Sequence, residues 1–272
     1  GLASDLGFPD SNPFAGQDAY VRDLVAGTVI RITTSSTGDG SNGNFVSGRF
    51  TPDGTGVVFA TSASNLGPTD TNNLTDVYSH DLTTGENHLV SVSAAGTGSG
   101  NSGSTLPVIS PDGNRVAFQS QASDLGPTDT NGVSDVYIRD LVADTTELVS
   151  VDVTGTRAGN LESIVSGGFS ADGTRLAFGS LARDLVPVSP SASNALYVRD
   201  LATGTTTLVS VASDGGVLPG NGAARTAALS ADGTKVAFEY LTPDASVPPP
   251  QPPFRQDIYL RDLTAGTTSL VS

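Results

Sequence analysis

Short runs with apolar residues at alternate positions recur along the whole chain, and each is closed by Gly, Pro, Asn or Asp. Within 104–151, the runs Ser104 to Ser110, Arg115 to Gln119, Asp135 to Leu141 and Thr145 to Val151 place β-branched or aromatic residues at every second position, the period of a half-buried strand. We label them strands a, b, c and d. No stretch has the 3.6-residue spacing of an amphipathic helix, so the pattern predicts antiparallel strands throughout. Two joints are tight: Ser110-Pro-Asp-Gly113 between a and b has Pro, Asp and Gly where a reverse turn uses them, and Asp140-Leu-Val-Ala-Asp-Thr145 joins c to d. The joints b to c and d to the next a are long.

The same unit returns about every sixty residues. Strand c recurs at Asp18 to Leu24, Asp76 to Leu82, Ala195 to Leu201 and Asp257 to Leu263, and the a–b turn at Thr51 to Gly54, Ser170 to Gly173 and Ser230 to Gly233. The predicted units are 44–92, 104–151, 163–211 and 223–272, preceded by a partial unit, 1–34, that holds only strands c and d. Four-stranded antiparallel units repeated in this way predict an all-β protein, a β-propeller with four complete blades plus strands c and d of a first, forming one domain or part of one. Leu2-Ala-Ser-Asp-Leu-Gly7 matches Gln121-Ala-Ser-Asp-Leu-Gly126, which follows strand b, so strands a and b of the first blade are expected from a longer polypeptide or a second chain.

The Ser110-Pro-Asp-Gly113 turn, the following Val116-Ala-Phe118 and the Tyr137-Ile-Arg-Asp-Leu141 strand end resemble the WD-type repeats of the TolB-type β-propeller family, over essentially the whole chain. That resemblance implies a propeller. The family's usual repeat is shorter, and the extra residues here fall only in the b–c and d–a joints. Turns of an antiparallel meander alternate ends, so both long joints of a unit emerge at the same end, where binding residues are expected.

The b–c joints suggest a ligand. Asn65-Leu-Gly-Pro-Thr-Asp70-Thr-Asn72-Asn-Leu-Thr-Asp76 and Asp124-Leu-Gly-Pro-Thr-Asp129-Thr-Asn131-Gly-Val-Ser-Asp135 present side-chain oxygens at relative positions 1, 3 and 7. Carboxylate and amide oxygens at alternate positions can surround a hard cation, so Asp70, Asn72, Asp76, Asp129, Asn131 and Asp135 are candidate calcium ligands. Asp10, Asn12 and Asp18 repeat the set with two extra residues. Two carboxylates per loop imply binding on the order of millimolar. The competing reading is that these residues cap turns through their own backbone. The set degenerates to Ser189, Ser191 and Ala195 in the fourth copy and to a proline run around Pro248 to Pro253 in the fifth. The d–a joints carry Asn42, Asn101, Asn160 and Asn221 at matching positions, either accepting left-handed geometry or bonding the loop backbone, or else offering a carbonyl oxygen to the same cation.

Charge narrows the partners. A formal net charge of −15, with Lys235 the one lysine, argues against nucleic acid and anionic membrane surfaces. No cysteine is present to build disulfides or thiolate metal sites, and no apolar run is long enough for a membrane helix. With no methionine anywhere, the chain is expected to continue upstream of Gly1, and its composition fits an extracellular, cell-surface or periplasmic setting. Gly38 to Gly43 and Gly98 to Gly103 match G-x-G-x-x-G, but neither opens a helix, so no phosphate site is expected. The Arg-Asp pairs of strand c and the Tyr and Phe residues recurring once per blade read as structural. His80 and His88 are the only histidines, and no catalytic residues are assigned. The expected function is a non-enzymatic interaction module whose long loops meet a protein or other extracellular ligand. The alternatives are a structural protein assembling through blade edges into a filament or surface layer, and a calcium-dependent hydrolase or lyase.

Overall fold

The computed structural model describes residues 16–67, 70–126, 129–188, 194–213, 216, 218, 223–243 and 254–272. Strands β1 (Tyr20–Arg22) and β2 (Val29–Arg31) pair as c and d of the first unit. The second sheet contains β3 (Phe45–Phe50), β4 (Gly56–Thr61), β5 (Asp76–Asp81) and β6 (Asn87–Leu89), and the third β7 (Ser104–Ile109), β8 (Arg115–Ser120), β9 (Asp135–Asp140) and β10 (Thr145–Leu148). The fourth contains β11 (Ser163–Ile164), β12 (Arg175–Ser180), β13 (Ala195–Asp200) and β14 (Thr205–Leu208), and the fifth β15 (Ala223–Leu229), β16 (Lys235–Pro243), β17 (Phe254–Asp262) and β18 (Thr267–Leu270). Every sheet is antiparallel with neighbours in chain order, as a meandering blade requires, and there is no helix among the described residues.

Two compact units divide the chain: Gly1–Ile109, Gly113–Gly132 and Tyr137–Glu147 form one, and Ser110–Asp112, Val133–Val136 and Leu148–Ser272 the other. The once-per-blade aromatics fill the core of each. Phe59 lies opposite Tyr78 in the β4–β5 register, their stacked rings 6.0 Å apart, and buried Ile32, Val57 and Leu89 pack around them. In the other unit Phe178 stacks on Tyr197 at 5.5 Å and Phe238 on Tyr259 at 5.7 Å, with Leu196, Val198 and Val236 buried beside Phe238. Such cross-strand aromatic pairs stabilise a sheet beyond the area they bury.

The tight turns follow from their residues. Gly54, Gly113, Gly173 and Gly233 end the a–b turns at φ 72, 75, 69 and 65, a region that costs glycine nothing, while Asp172 Oδ1 accepts the Thr174 N–H at 3.0 Å and Asp53 Oδ1 the Thr55 N–H at 3.1 Å. At the c–d turns Asp140 Oδ1 accepts the Val142 and Ala143 amides at 3.0 and 2.8 Å, and Asp23, Asp81, Asp200 and Asp262 repeat the arrangement. The adjacent arginine lies along strand d, with Arg139, Arg199 and Arg261 donating to Thr146, Thr206 and Thr268 Oγ1 at 3.1, 3.0 and 3.1 Å. The Arg-Asp pairs are therefore structural.

Strand a departs from the even alternation. Its register shifts between Phe45 and Ser47, between Thr105 and Val108, and between Ala224 and Ala227. In β7 the cause is local, because Pro107 cannot donate to the ladder and Leu106 before it sits at φ 53. In the fourth sheet β11 shrinks to two residues ahead of Gly167-Gly168. Glycine is also required at position 43, where an added Cβ would lie 2.4 Å from the Ser62 and Ala63 backbone. Gly43→Ala should cost about 1–3 kcal/mol by overpacking. The check is the urea unfolding midpoint, and a variant as stable as the parent would refute the close approach.

Candidate functional site

The d–a joints are small hairpins rather than open loops. Bridges pair Thr34 with Gly40, Val92 with Ser99 and Val151 with Ala158, and the tips use Gly38, Gly96 and Gly155 at φ 88, 69 and 70. Each hairpin docks on the following b–c joint through one amide: Ser36 N donates to Asn65 O at 3.0 Å, Ala94 N to Asp124 O at 2.7 Å and Val153 N to Asp184 O at 2.6 Å. The side chains of these acceptor residues make a second tie, since Asn65, Asp124 and Asp184 Oδ1 accept the Asn42, Asn101 and Asn160 amides at 3.0, 2.8 and 2.9 Å. The asparagines answer with their own carbonyl oxygens, which accept Ser64 N, Ser123 N and Arg183 N at 2.8, 2.9 and 3.0 Å. Of the two roles the sequence leaves open for these asparagines, the structure shows backbone bonding. Asn221 lies outside the described residues. The tie through Asn65, Asp124 and Asp184 is not predicted from the sequence, although the repeated Ala-Ser-Asn-Leu, Ala-Ser-Asp-Leu and Ala-Arg-Asp-Leu carried the signal.

The aspartate opening strand c is bonded across to strand d. Thr33 Oγ1 donates to Asp18 Oδ1 at 2.6 Å, Ser91 Oγ to Asp76 Oδ1 at 2.7 Å and Ser150 Oγ to Asp135 Oδ1 at 2.6 Å. Ser91 and Ser150 Oγ in turn accept the Val77 and Val136 amides at 3.1 and 3.0 Å. This relay is also absent from the sequence reading, and its mark is the Leu-Val-Ser that ends strand d. Asp18 Oδ1 further accepts Ser41 N and Oγ at 3.0 and 2.9 Å. Asp10 and Asn12, its proposed companions, lie outside the described residues, as do Ser189, Ser191 and Pro248 to Pro253.

In the second blade the structure brings the predicted residues together. Asp70 Oδ1 accepts the Asn72 and Asn73 amides, both at 2.9 Å, and the Ser99 hydroxyl at 3.3 Å, with Asn73 held at φ 55. Asn72 Oδ1 accepts Leu74 N at 2.5 Å, while its Nδ2 donates to Gly100 O at 2.7 Å and fastens the loop to the neighbouring hairpin. The other oxygens of both aspartates, Asp70 Oδ2 and Asp76 Oδ2, are buried without a hydrogen-bond partner, and so is the Tyr78 hydroxyl. Asp76 itself is 0% exposed. Its burial first, and then the Asp70 charge, push its carboxyl to about 7 against the Ser91 hydrogen bond and the weaker pull of the Asn72 side chain. Burial and then the charges of Asp76 and Asp70 push the Tyr78 phenol up as well, so all three groups share one low-dielectric place.

The third blade differs in its pairing. Asp129 Oδ1 accepts Asn131 N at 3.2 Å, but Asp129 Oδ2 accepts the Tyr137 hydroxyl at 3.1 Å, and that hydroxyl is also 3.2 Å from Ala122 O. Among the described residues no three of His, Cys, Asp and Glu gather in a metal-binding cluster. The histidines stand elsewhere, on β5 and β6, where His80 Nδ1 is 2.8 Å from Asn87 Oδ1 and His88 Nε2 is 3.8 Å from Glu86.

Four-stranded antiparallel blades joined by S/T-x-D-G turns and carrying long b–c and d–a joints define a β-propeller of TolB-like fold. Solved structures agree. The putative TolB from Agrobacterium tumefaciens is similar at 16% identity and TM-score 0.50, covering 94% of this chain and 69% of that one. An oligogalacturonate lyase in complex with manganese is similar at 17% identity and TM-score 0.55, over 94% of this chain and 60% of the lyase. Porphyromonas gingivalis dipeptidyl peptidase 4 matches at 14% identity and TM-score 0.53, over 98% of this chain and 39% of the peptidase. Identities this low show the fold alone, and the chain spans less than two thirds of the lyase and of the peptidase. No family model matches the chain, and no curated protein matches it in sequence.

Proposed function

We propose that this chain is a non-enzymatic β-propeller interaction module of the S-P-D-G repeat kind, working outside the cytoplasm and binding calcium weakly through its b–c loops. One observation carries the reading: at the long-loop end of the second blade Asp70 Oδ2, Asp76 Oδ2 and the Tyr78 hydroxyl are buried without hydrogen-bond partners, and the Asp70 charge acts on Asp76 and both act on Tyr78. Leaving such oxygens unpaired is costly, and a hard divalent cation satisfies them with carboxylate, phenol and backbone oxygens plus water. With two carboxylates the affinity falls on the order of millimolar, the range of extracellular calcium modules. Calcium would then stiffen the loops that meet a protein or other extracellular ligand. A net charge of −15 favours cations over nucleic acid or anionic membranes as partners, and an absence of cysteine is compatible with an extracytoplasmic setting. The lyase and peptidase activities belong to the similar proteins. Here both histidines occupy strands that meet at a tight c–d turn, and His80 is bonded to Asn87.

Thermal unfolding with calcium against a chelator, with magnesium at equal ionic strength as control, tests the reading. Calcium at several times its dissociation constant should add about 1 kcal/mol, a rise of roughly 2–4 °C in melting temperature. No calcium-specific rise would leave the Asp and Asn residues as turn caps.

A further inference from the structure

The b–c loops of the second and third blades read almost identically, Asp70-Thr-Asn72-Asn-Leu-Thr-Asp76 against Asp129-Thr-Asn131-Gly-Val-Ser-Asp135, and sequence makes them equal as calcium sites. The structure separates them. Both loops turn alike: the first aspartate accepts the amide two residues on, at 2.9 Å from Asn72 and 3.2 Å from Asn131, and the residue after that is left-handed, Asn73 at φ 55 and Gly132 at φ 71. Both first aspartates therefore commit Oδ1 to the loop and leave Oδ2 to decide what the loop can bind. In the third blade the Tyr137 hydroxyl reaches two acceptors, Asp129 Oδ2 at 3.1 Å and Ala122 O at 3.2 Å, and the charged carboxylate is the stronger of the two. The equivalent Tyr78 makes no such bond, and its hydroxyl, Asp70 Oδ2 and Asp76 Oδ2 are all buried and unpartnered. A tyrosine O–H holds one proton. Donated to the aspartate it occupies one lone pair of Oδ2 and holds that oxygen toward the tyrosine, whereas undonated it leaves the oxygen to a cation and the phenol oxygen can itself add a third donor.

We propose that the second-blade loop, through Asp70, Asp76 and Tyr78, is a calcium site, and that the third-blade loop is closed to calcium by the Tyr137 to Asp129 hydrogen bond. The inference rests on the calcium reading above and deepens it: the two loops form one site and one tyrosine-latched copy of it. The latch is a specificity device, because a residue common to both blades sets which copy takes metal.

The test counts calcium ions by equilibrium dialysis on the full chain, its Asp70→Asn and its Asp129→Asn variant. Both substitutions keep an acceptor for the loop amides, and folding is checked by melting in chelator. Terbium gives a second measurement, since a chain without tryptophan can sensitise it only through its tyrosines and phenylalanines. The expected result is calcium binding that falls by one ion in Asp70→Asn and is unchanged in Asp129→Asn, with terbium emission at least tenfold lower in Tyr78→Phe and unchanged in Tyr137→Phe. Loss of an ion in Asp129→Asn would overturn the inference and leave the calcium reading standing. No bound calcium in the parent chain would overturn both.

Discussion

Phe118→Ala is expected to lower the unfolding free energy by about 3–5 kcal/mol, the range for deleting a buried aromatic side chain. Phe118 is 0% exposed on the second strand of its sheet, flanked by β7 and β9, and its ring stacks on Tyr137 with centroids 6.0 Å apart. Truncation removes the transfer energy of the ring and leaves a cavity between strands whose backbones are fixed by ladder hydrogen bonds, so little collapse can offset it. Tyr137 also carries the hydroxyl that holds Asp129, so the loss should spread to the loop as faster amide exchange around Asn131. Phe50, on β3, is 56% exposed, and Phe50→Ala should change stability by about 0.5 kcal/mol or less. Urea titration with an unchanged m-value measures both. If the two variants lost similar amounts, the assignment of the once-per-blade phenylalanine to the core would fail.

That contrast marks what the sequence makes legible. Phe118 and Tyr137 follow from alternation, because a period of two puts every second residue on the buried face whatever the neighbours are. The a–b and c–d turns follow because Gly at positive φ and Asp beneath two amides are nearly the only chemistry that closes them. The d–a hairpins do not follow. Their strands are held by single bridges and by amides docking on Asn65, Asp124 and Asp184, and a Gly-, Ser- and Asn-rich segment held by polar bonds has no hydrophobic period to read. The site was half legible. Spacing gathers Asp70, Asn72 and Asp76, but it does not show that Asn72 also fastens the loop to Gly100 or that one oxygen of Asp76 accepts from Ser91. The difference between Tyr78 and Tyr137 has no sequence signature, since the same residue at the same position is paired in one blade and unpaired in the other.

The pH dependence of stability should show two opposed limbs, with Asp76 alone among the described carboxyls on the second. At the a–b turns the hydroxyls of Thr51, Ser170 and Ser230 hold Asp53, Asp172 and Asp232 below the usual carboxyl range, Asp53 and Asp232 at about 2. At the c–d turns the amides of Ala26, Thr84, Ala143, Thr203 and Ala265 lower Asp23, Asp81, Asp140, Asp200 and Asp262. Depressed carboxyls stabilise the fold above their unfolded pKa, and that stability drains away as pH falls from about 4 to about 2. Asp76 has the opposite sign. Raised from 3.8 to about 7 by burial and then by Asp70, it stabilises the fold fully only below about pH 4, and the contribution is lost as pH rises through about 7. A shift of about three pKa units corresponds to roughly 4 kcal/mol, and water penetration around a partly relaxed loop brings the expected loss to about 2–4 kcal/mol. In calcium-free buffer the parent chain should therefore lose stability between about pH 5 and 8, and Asp76→Asn, which keeps the Ser91 bond but carries no charge, should be more stable than the parent by that amount near pH 8.5 and by almost nothing near pH 4. Parallel pH profiles for parent and variant would mean that Asp76 ionises as freely as a surface carboxylate. A profile that converges when saturating calcium is added would show the ion and the neutral substitution relieving the same buried charge.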